Sequence, residues 1–343
     1  MDMSGKKNRA TSLILVIWAV ALSFVVFYVG YVYYVDSPVS AKPQEEPITI
    51  EISKGDSFTS VMNVLESVGL IKHRKSFYLL AILRGAPKHI RAGEYELDTA
   101  MTPREILDKF LKGEIKGYRM PIPEGFTVHQ IAARLSHWRL VDEKAFMERA
   151  YNKDFLASLY IPGDSIEGYL FPDTYILTRS MGEEEIMKFM VRRFRQKVTS
   201  TMMQRAGELG FTFEEILILA SIIEKEGGLN EEKPLVAAVF HNRLQKGMRL
   251  QSDPTVIYGI KNFDGNLTKK HLKKVTRYNT YRIKGLPPGP ICNPGIDSIM
   301  AALYPSPANY LFFVSKNDGS HHFSADLATH NKAVLKYQIK RRR

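Results

Sequence analysis

One cysteine, Cys292, stands among 343 residues. A single cysteine excludes an internal disulfide and any multi-cysteine zinc site, so its expected place is that of a small buried hydrophobe. The nine histidines do not fall at metal-ligand spacings, and His321 and His322, being adjacent, are not a zinc pattern. H-E-x-x-H, G-x-S-x-G and P-loop runs are all missing. The chain is therefore expected to use neither metal nor cofactor. Low-complexity tracts are absent, and apolar residues make up 45%, which supports packed cores rather than disorder. The net charge of +12 favours anionic partners. No basic helix interleaved with aromatics and no nucleic-acid module accompanies it, so nucleic acid is not expected among them.

What is present begins with Leu13–Val35, 23 residues without a charge. A helix needs about 20 apolar residues to cross the hydrocarbon core of a bilayer. Lys6, Lys7 and Arg9 precede the run, which by the positive-inside rule leaves residues 1–12 cytoplasmic and sends everything after Val35 outward. A cleaved signal peptide would be shorter and would end in small residues; this run ends in Tyr33-Tyr34-Val35. Residues 36–47 hold three prolines and read as an extended linker lifting the exported part off the membrane.

Two stretches repeat at an offset of 70. Ile52-Ser-Lys-Gly55 and Ile122-Pro-Glu-Gly125 each read as a strand meeting a glycine turn. Helices follow with apolar residues four apart, Val61 and Leu65, then Ile131 and Leu135. Residues 48–117 resemble a LysM-like unit, with Arg91–Leu97 as its second strand. Thr102, Pro103 and Glu105 mark a capped helix start. Such a unit either binds glycan or serves as a folded spacer.

The best-defined element is the helix from Thr212 to Lys225. Thr212 and Glu215 form a capping box, and Ile216 to Ile223 is apolar on nearly every face, the pattern of a helix buried all round. It ends in Glu224-Lys225-Glu226 before Gly227-Gly228. Desolvation and the negative end of the helix dipole both raise a carboxyl pKa there, as a general acid requires. An ordinary solvated helix end is the alternative, and spacing does not choose between Glu224 and Glu226. Downstream, the helix Leu235–Leu244 stops at Gly247, and Gln251, Ser252 and Asp253 sit on a turn. Asn242, Asn279 and Tyr281 add amide and phenol groups, and Gly285 to Gly295 is a Pro/Gly-shaped loop. Together these suit a groove that hydrogen-bonds sugar hydroxyls. Gly319–Phe323, His330 and Asn331 are further polar candidates.

Six motifs in order resemble those of the membrane-bound endolytic murein transglycosylases, the YceG-like proteins. They are Glu167–Tyr175, Ala220–Glu226, Phe240–Leu244, Arg249–Tyr258, Tyr278–Tyr281 and Gly285–Ile291 with Asn293-Pro-Gly295. The resemblance implies an α+β chain: one N-terminal transmembrane helix, a LysM-like α/β subdomain, and a mixed α+β catalytic domain over 118–343. It assigns the catalytic acid to Glu224. It implies non-hydrolytic cleavage of the MurNAc-β-1,4-GlcNAc bond with 1,6-anhydro ends, terminating strand elongation. One carboxyl suffices because the attacking hydroxyl belongs to the substrate, whereas ordinary glycosidases need two. Gln251, Ser252, Asp253, Asn279, Tyr281 and Asn242 are the candidate substrate contacts. Expected partners are glycan strands, the cytoplasmic membrane and, by resemblance, peptidoglycan synthases. The rival readings are a non-catalytic cell-wall scaffold and a hydrolytic muramidase pairing Glu224 with Asp253. Asp253 also reads as an N-cap before Pro254. The Arg341-Arg342-Arg343 tail is expected to be a solvated helix end attracted to anionic lipid.

Overall fold

A helix that nothing in the chain covers comes first. In this computed structural model, which describes residues 4–261 and 263–339, α1 runs from Ser4 to Val35. Its Leu15–Val35 portion has a mean hydropathy of 2.3 and none of it is buried within the chain. It is the one described helix long and apolar enough to cross a membrane. The basic tail Lys340 to Arg343 and the first three residues lie outside the described residues.

The chain divides into two compact units. One comprises residues up to Gly117 with Thr178–Ser180, the other Tyr118–Leu177 with Met181 onward.

In the first unit, strand β1 (Ile48–Ile52) pairs antiparallel with β2 (Gly93–Leu97), from Ile48 opposite Leu97 to Ile52 opposite Gly93. Between them lie α2 (Phe58–Ser67) and α3 (Arg74–Leu83), and α4 (Pro103–Lys112) follows. The capping box at Thr102 and Glu105 forms as its sequence requires. Val61, Leu65, Leu70, Phe77, Tyr95 and Phe110 fill the core. The segment after α1, expected to act as an extended spacer, is instead tied down. Asp36 pairs with Arg104 at 3.3 Å, and Lys72 Nζ donates to the Pro38 carbonyl at 2.6 Å. Ser40 N–H donates to Thr99 O at 2.9 Å, and Gln44 N–H to Asp98 Oδ2 at 3.0 Å. Proline supplies extension, but these polar partners hold the segment against the unit. The ring of Tyr34, in the last turn of α1, packs on His73 with centroids 5.0 Å apart.

The second unit opens by repeating the pattern. Strand β3 (Tyr118–Pro121) leads through α5 (Val128–His137), α6 (Glu143–Ala150) and α7 (Lys153–Ser158) to β4 (Thr174–Leu177), its antiparallel partner. Gly55 and Gly125 take φ of +96° and +74°, the left-handed turn that their shared position demands. Ile131, Leu135 and Leu140 are buried just as Val61, Leu65 and Leu70 are.

Then come α8 (Glu183–Lys197), α9 (Ser200–Glu208), α10 (Phe213–Glu226), α11 (Lys233–Gln245) and α12 (Asp253–Tyr258). The short α13 (Lys269–Lys273), α14 (Ile296–Leu303), a hairpin of β5 (Phe312–Ser315) and β6 (His321–Ser324), and α15 (Leu327–Val334) complete the unit. Helix α10 is the centre of this core. Every residue from Ile216 to Ile223 is buried, and α9, α11, α12 and α14 pack around it. The fold is α+β, with three separate two-stranded sheets among the described residues.

Candidate active site

The capping box of Thr212 and Glu215 starts α10, and its apolar faces bury it. Gly227, at φ +73°, ends it. Glu224 and Glu226, two residues apart, leave the helix about 200° apart and enter different surroundings.

Glu224 meets the start of α14. Its Oε2 accepts the Gly295 N–H at 3.1 Å, the Ser298 hydroxyl at 2.6 Å and the Lys233 ammonium at 3.5 Å. Gly295 is the N-cap of α14, so the positive end of that helix adds to the field on this oxygen. The Lys233 side chain is 7% exposed and that of Glu224 11%. No described donor reaches Oε1. One oxygen of the carboxylate is held by three groups, and the other by none among the described residues.

A second carboxyl shares the place. A side chain built on Gly295 would put its Cβ 1.9 Å from Glu124 Oε1, so Glu124 lies directly over the glycine that donates to Glu224. Gly125 lies against Glu224 as well, its absent Cβ 3.5 Å from Glu224 Cγ. Glu124 is exposed, yet its carboxyl sits above the ordinary carboxylate range. Partial burial contributes most; the charges of Glu224 and Asp297 add to it, and Lys233 opposes. Sequence reasoning missed Glu124, Lys233 and Ser298, and had Gly295 only as part of the Pro/Gly-shaped loop and the Asn293-Pro-Gly295 motif. Three of them lie on other segments, 71 to 100 positions from Glu224. For Glu124 the available signal was a carboxylate beside the repeated glycine turn, in Ile122-Pro-Glu-Gly125.

The loop carrying Gly295 is fixed from below. Ser221 Oγ accepts the Ile291 N–H at 3.0 Å, and Cys292 Sγ donates to Ser221 O at 3.3 Å. Cys292 is a buried thiol, the role expected for it. Asn293, fully buried, joins three segments. Its Nδ2 donates to Phe126 O and Glu167 Oε1, both at 2.9 Å, and its Oδ1 accepts from Leu170 N at 2.9 Å. Glu167 also accepts from Val128 N at 3.0 Å and from the Tyr258 hydroxyl at 3.1 Å. Burial pushes its carboxyl up to about 8 against the pull of these donors. This buried acid carries the frame of the site and does not reach its open side. The cavity of about 250 Å³ between Tyr151, Asp164, Tyr258 and Arg277 lies beyond it and contains neither Glu224 nor Glu226.

Glu226 faces the turn before α12. Its Oε1 accepts the Ser252 hydroxyl at 2.5 Å. Loss of water pushes it up to about 7; the Ser252 hydrogen bond lowers it and the Asp253 charge raises it. The elevated carboxyl expected at the end of the buried helix is thus found at Glu226. Ser252, not Asp253, occupies the N-cap position of α12, and Asp253 is its first residue. Asp253 Oδ1 accepts the Tyr281 hydroxyl at 2.7 Å, and Gln251 is exposed with φ +54°. Gln251, Asp253 and Tyr281 therefore come together on one surface.

Asn279 and Asn242 do not join them. Asn279, fully buried, donates from Nδ2 to Lys274 O at 2.6 Å and Leu272 O at 3.1 Å. Asn242 Nδ2 donates to Ala308 O and Tyr310 O, both at 2.9 Å. Its neighbour Arg243 holds Leu311 O at 2.7 Å and Leu250 O at 2.6 Å. These amides serve backbone carbonyls that would otherwise lack a partner, at the end of α13 for Asn279 and in the loop before β5 for Asn242. His321 pairs with Glu232 at 2.8 Å, and His330 stacks on Phe312.

Residues 50–336 match the YceG-like family. An endolytic murein transglycosylase of Bacillus subtilis is 31% identical, over 86% of this chain and 86% of that protein. One from Streptococcus pneumoniae is 28% identical over 93% of this chain, which spans 65% of that protein's length. The crystal structure of a yceG-like protein from Listeria monocytogenes superposes with a TM-score of 0.59 at 32% identity, over 84% of this chain and the whole of the other.

Proposed function

The chain belongs to the YceG-like family, and from that premise we propose that it is an endolytic murein transglycosylase with Glu224 as its acid and base. Its substrate is the glycan strand of peptidoglycan, and its reaction is a lyase step rather than a hydrolysis. The observation that carries the assignment of Glu224 is the convergence of Gly295 N–H, Ser298 Oγ and Lys233 Nζ on Oε2 alone.

Oε1, without a described donor, carries the proton toward the glycosidic oxygen between MurNAc and GlcNAc. Bound glycan excludes water and sets the glycosidic oxygen against Oε1. As the C1–O bond breaks, the proton passes to the leaving oxygen. The charge left on Glu224 is met by donors already in place, so little reorganisation is needed. The Glu124 carboxylate faces the positive charge developing at C1. Glu224 next removes the proton of the MurNAc C6 hydroxyl, O6 bonds to C1, and a 1,6-anhydro ring closes. Gln251, Ser252, Asp253 and Tyr281 we read as the flank along which the strand lies. Asn242 and Asn279 we read as supports of that flank.

The same proposal makes α1 a single-pass anchor in the cytoplasmic membrane. Lys6, Lys7 and Arg9 remain inside, and both units lie outside. Peptidoglycan synthases, which deliver new strand at that membrane, are the proposed neighbours.

Digestion of purified glycan strands tests the chemistry. Mass spectrometry of the new ends is expected to find anhydro termini. Reducing termini, heavier by one water, would replace the lyase with a hydrolase using Asp253. Strand binding with no cleavage would favour a scaffold.

A further inference from the structure

Helix α3 buries one face and leaves an apolar one outside. Phe77 and Ala81 enter the core of the first unit, while Tyr78, Leu79, Ile82 and Leu83 are 43, 59, 47 and 76% exposed. Outside α1, no other described segment exposes four large apolar side chains within six positions. Scattered surface apolars need no explanation, but a contiguous set on one helical face marks a surface that meets something. Lys75 lies on this face, one turn before Tyr78 and Leu79. Residues 69–93 contain six Lys and Arg and no Asp or Glu. Arg74 and Arg84 are answered within the unit by Glu66 and Asp108.

The same helix starts beside the candidate span. His73, its N-cap residue, packs on Tyr34, one residue before α1 ends. Lys72 holds the Pro38 carbonyl, and Asp36 is paired with Arg104. The polypeptide leaving α1 is thus bound to the unit that carries the apolar face.

We propose that the exposed face of α3 docks into the surface of the bilayer that α1 crosses, on its outer side, against anionic phospholipid. The proposal rests on reading Leu15–Val35 as a span, and adds a second contact to it. Apolar side chains flanked by basic ones are the composition of a helix lying at the headgroup boundary, where its apolar face sinks about 5–10 Å.

The test uses the full chain in vesicles of phosphatidylethanolamine and phosphatidylglycerol carrying a nitroxide on an upper acyl carbon. A fluorophore is attached to single cysteines introduced as Leu79→Cys, Leu83→Cys, Val20→Cys or Thr59→Cys; Cys292 is buried and stays unlabelled. Quenching is expected at positions 20, 79 and 83 and not at 59, an exposed residue of α2. It should weaken at 79 and 83, but not at 20, when phosphatidylcholine replaces the anionic lipid; unchanged quenching there would overturn anionic lipid as the partner. Quenching at 20 alone would overturn the docking and leave the anchor standing. No quenching at 20 would remove the anchor and the docking with it. A blue-shifted but unquenched label at 79 would mean that protein covers the face, which also overturns the proposal.

Discussion

Substituting Glu224→Gln separates the proposed proton donation from everything else that this side chain does. With the amide oxygen at the Oε2 position, the Gly295 and Ser298 hydrogen bonds survive, and the amide nitrogen takes the place of the unheld oxygen. What disappears is the acid and the charge opposite Lys233. Loss of a positioned general acid costs about 10²–10⁴ in rate, or roughly 3–5 kcal/mol of barrier. Stability suffers separately. Lys233, 7% exposed, loses its buried partner, a change worth about 3–5 kcal/mol in a fully buried pair. Glu124, whose carboxyl interacts with the same ammonium, reduces that figure here. The double variant Glu224→Gln with Lys233→Met should regain the stability and none of the activity. Strand digestion read by mass spectrometry, beside thermal unfolding, measures both quantities. Cleavage within tenfold of the parent in Glu224→Gln, together with its loss in Glu226→Gln, would refute the reasoning and move the acid to Glu226.

Ser298→Ala removes a 2.6 Å hydrogen bond to the charged oxygen. Such bonds are worth about 1.5–3 kcal/mol, so kcat should fall between about tenfold and about a hundredfold with KM little changed; an unaltered kcat would show that Oε2 needs no such support. Gly295→Ala places a methyl where the Glu124 carboxylate lies, and that flexible, exposed side chain can swing away. The variant should fold yet share the loss of kcat expected of Glu124→Gln; full activity in either would remove Glu124 from the chemistry. Glu167 titrates at about 8 in the folded protein, above the ordinary 4.5, so the folded state holds the extra proton between those values. Its contribution is intact below about pH 4.5 and falls as pH rises toward about 8, at up to about 1.4 kcal/mol per pH unit. Glu167→Gln should flatten that decline in denaturant melts, and an unchanged slope would assign it to another group.

The helices were legible in the sequence because their signals are local. Thr102 with Glu105, and Thr212 with Glu215, close capping boxes within one turn, and Ile216 to Ile223 declares its burial by composition alone. The glycine turns of the repeat were readable for the same reason. The surroundings of Glu224 were not, because Glu124, Lys233, Gly295 and Ser298 come together only through tertiary packing. Asn242 and Asn279 illustrate the opposite difficulty. An amide in a loop looks the same in sequence whether it awaits a sugar or holds a backbone carbonyl, and only the carbonyls around it decide. Proline in the segment after α1 signalled extension, which is a backbone preference; the contacts of Asp36, Lys72 and Asp98 that hold it down are long-range.

The junction at Asn293 also sets an order of events as the protein is made. Its side chain bridges to Phe126, Glu167 and Leu170, separations of 167, 126 and 123 residues, and two of the three donors to Glu224, Gly295 and Ser298, follow it by 71 and 74 positions. Loops of that length close late, after local helices have formed. A nascent chain can therefore complete α10, with Glu224 at its end, while Gly295 and Ser298 have yet to arrive. Until they do, the carboxylate has Lys233 alone of the three groups that hold it, so the surroundings of Glu224 exist only in the finished unit.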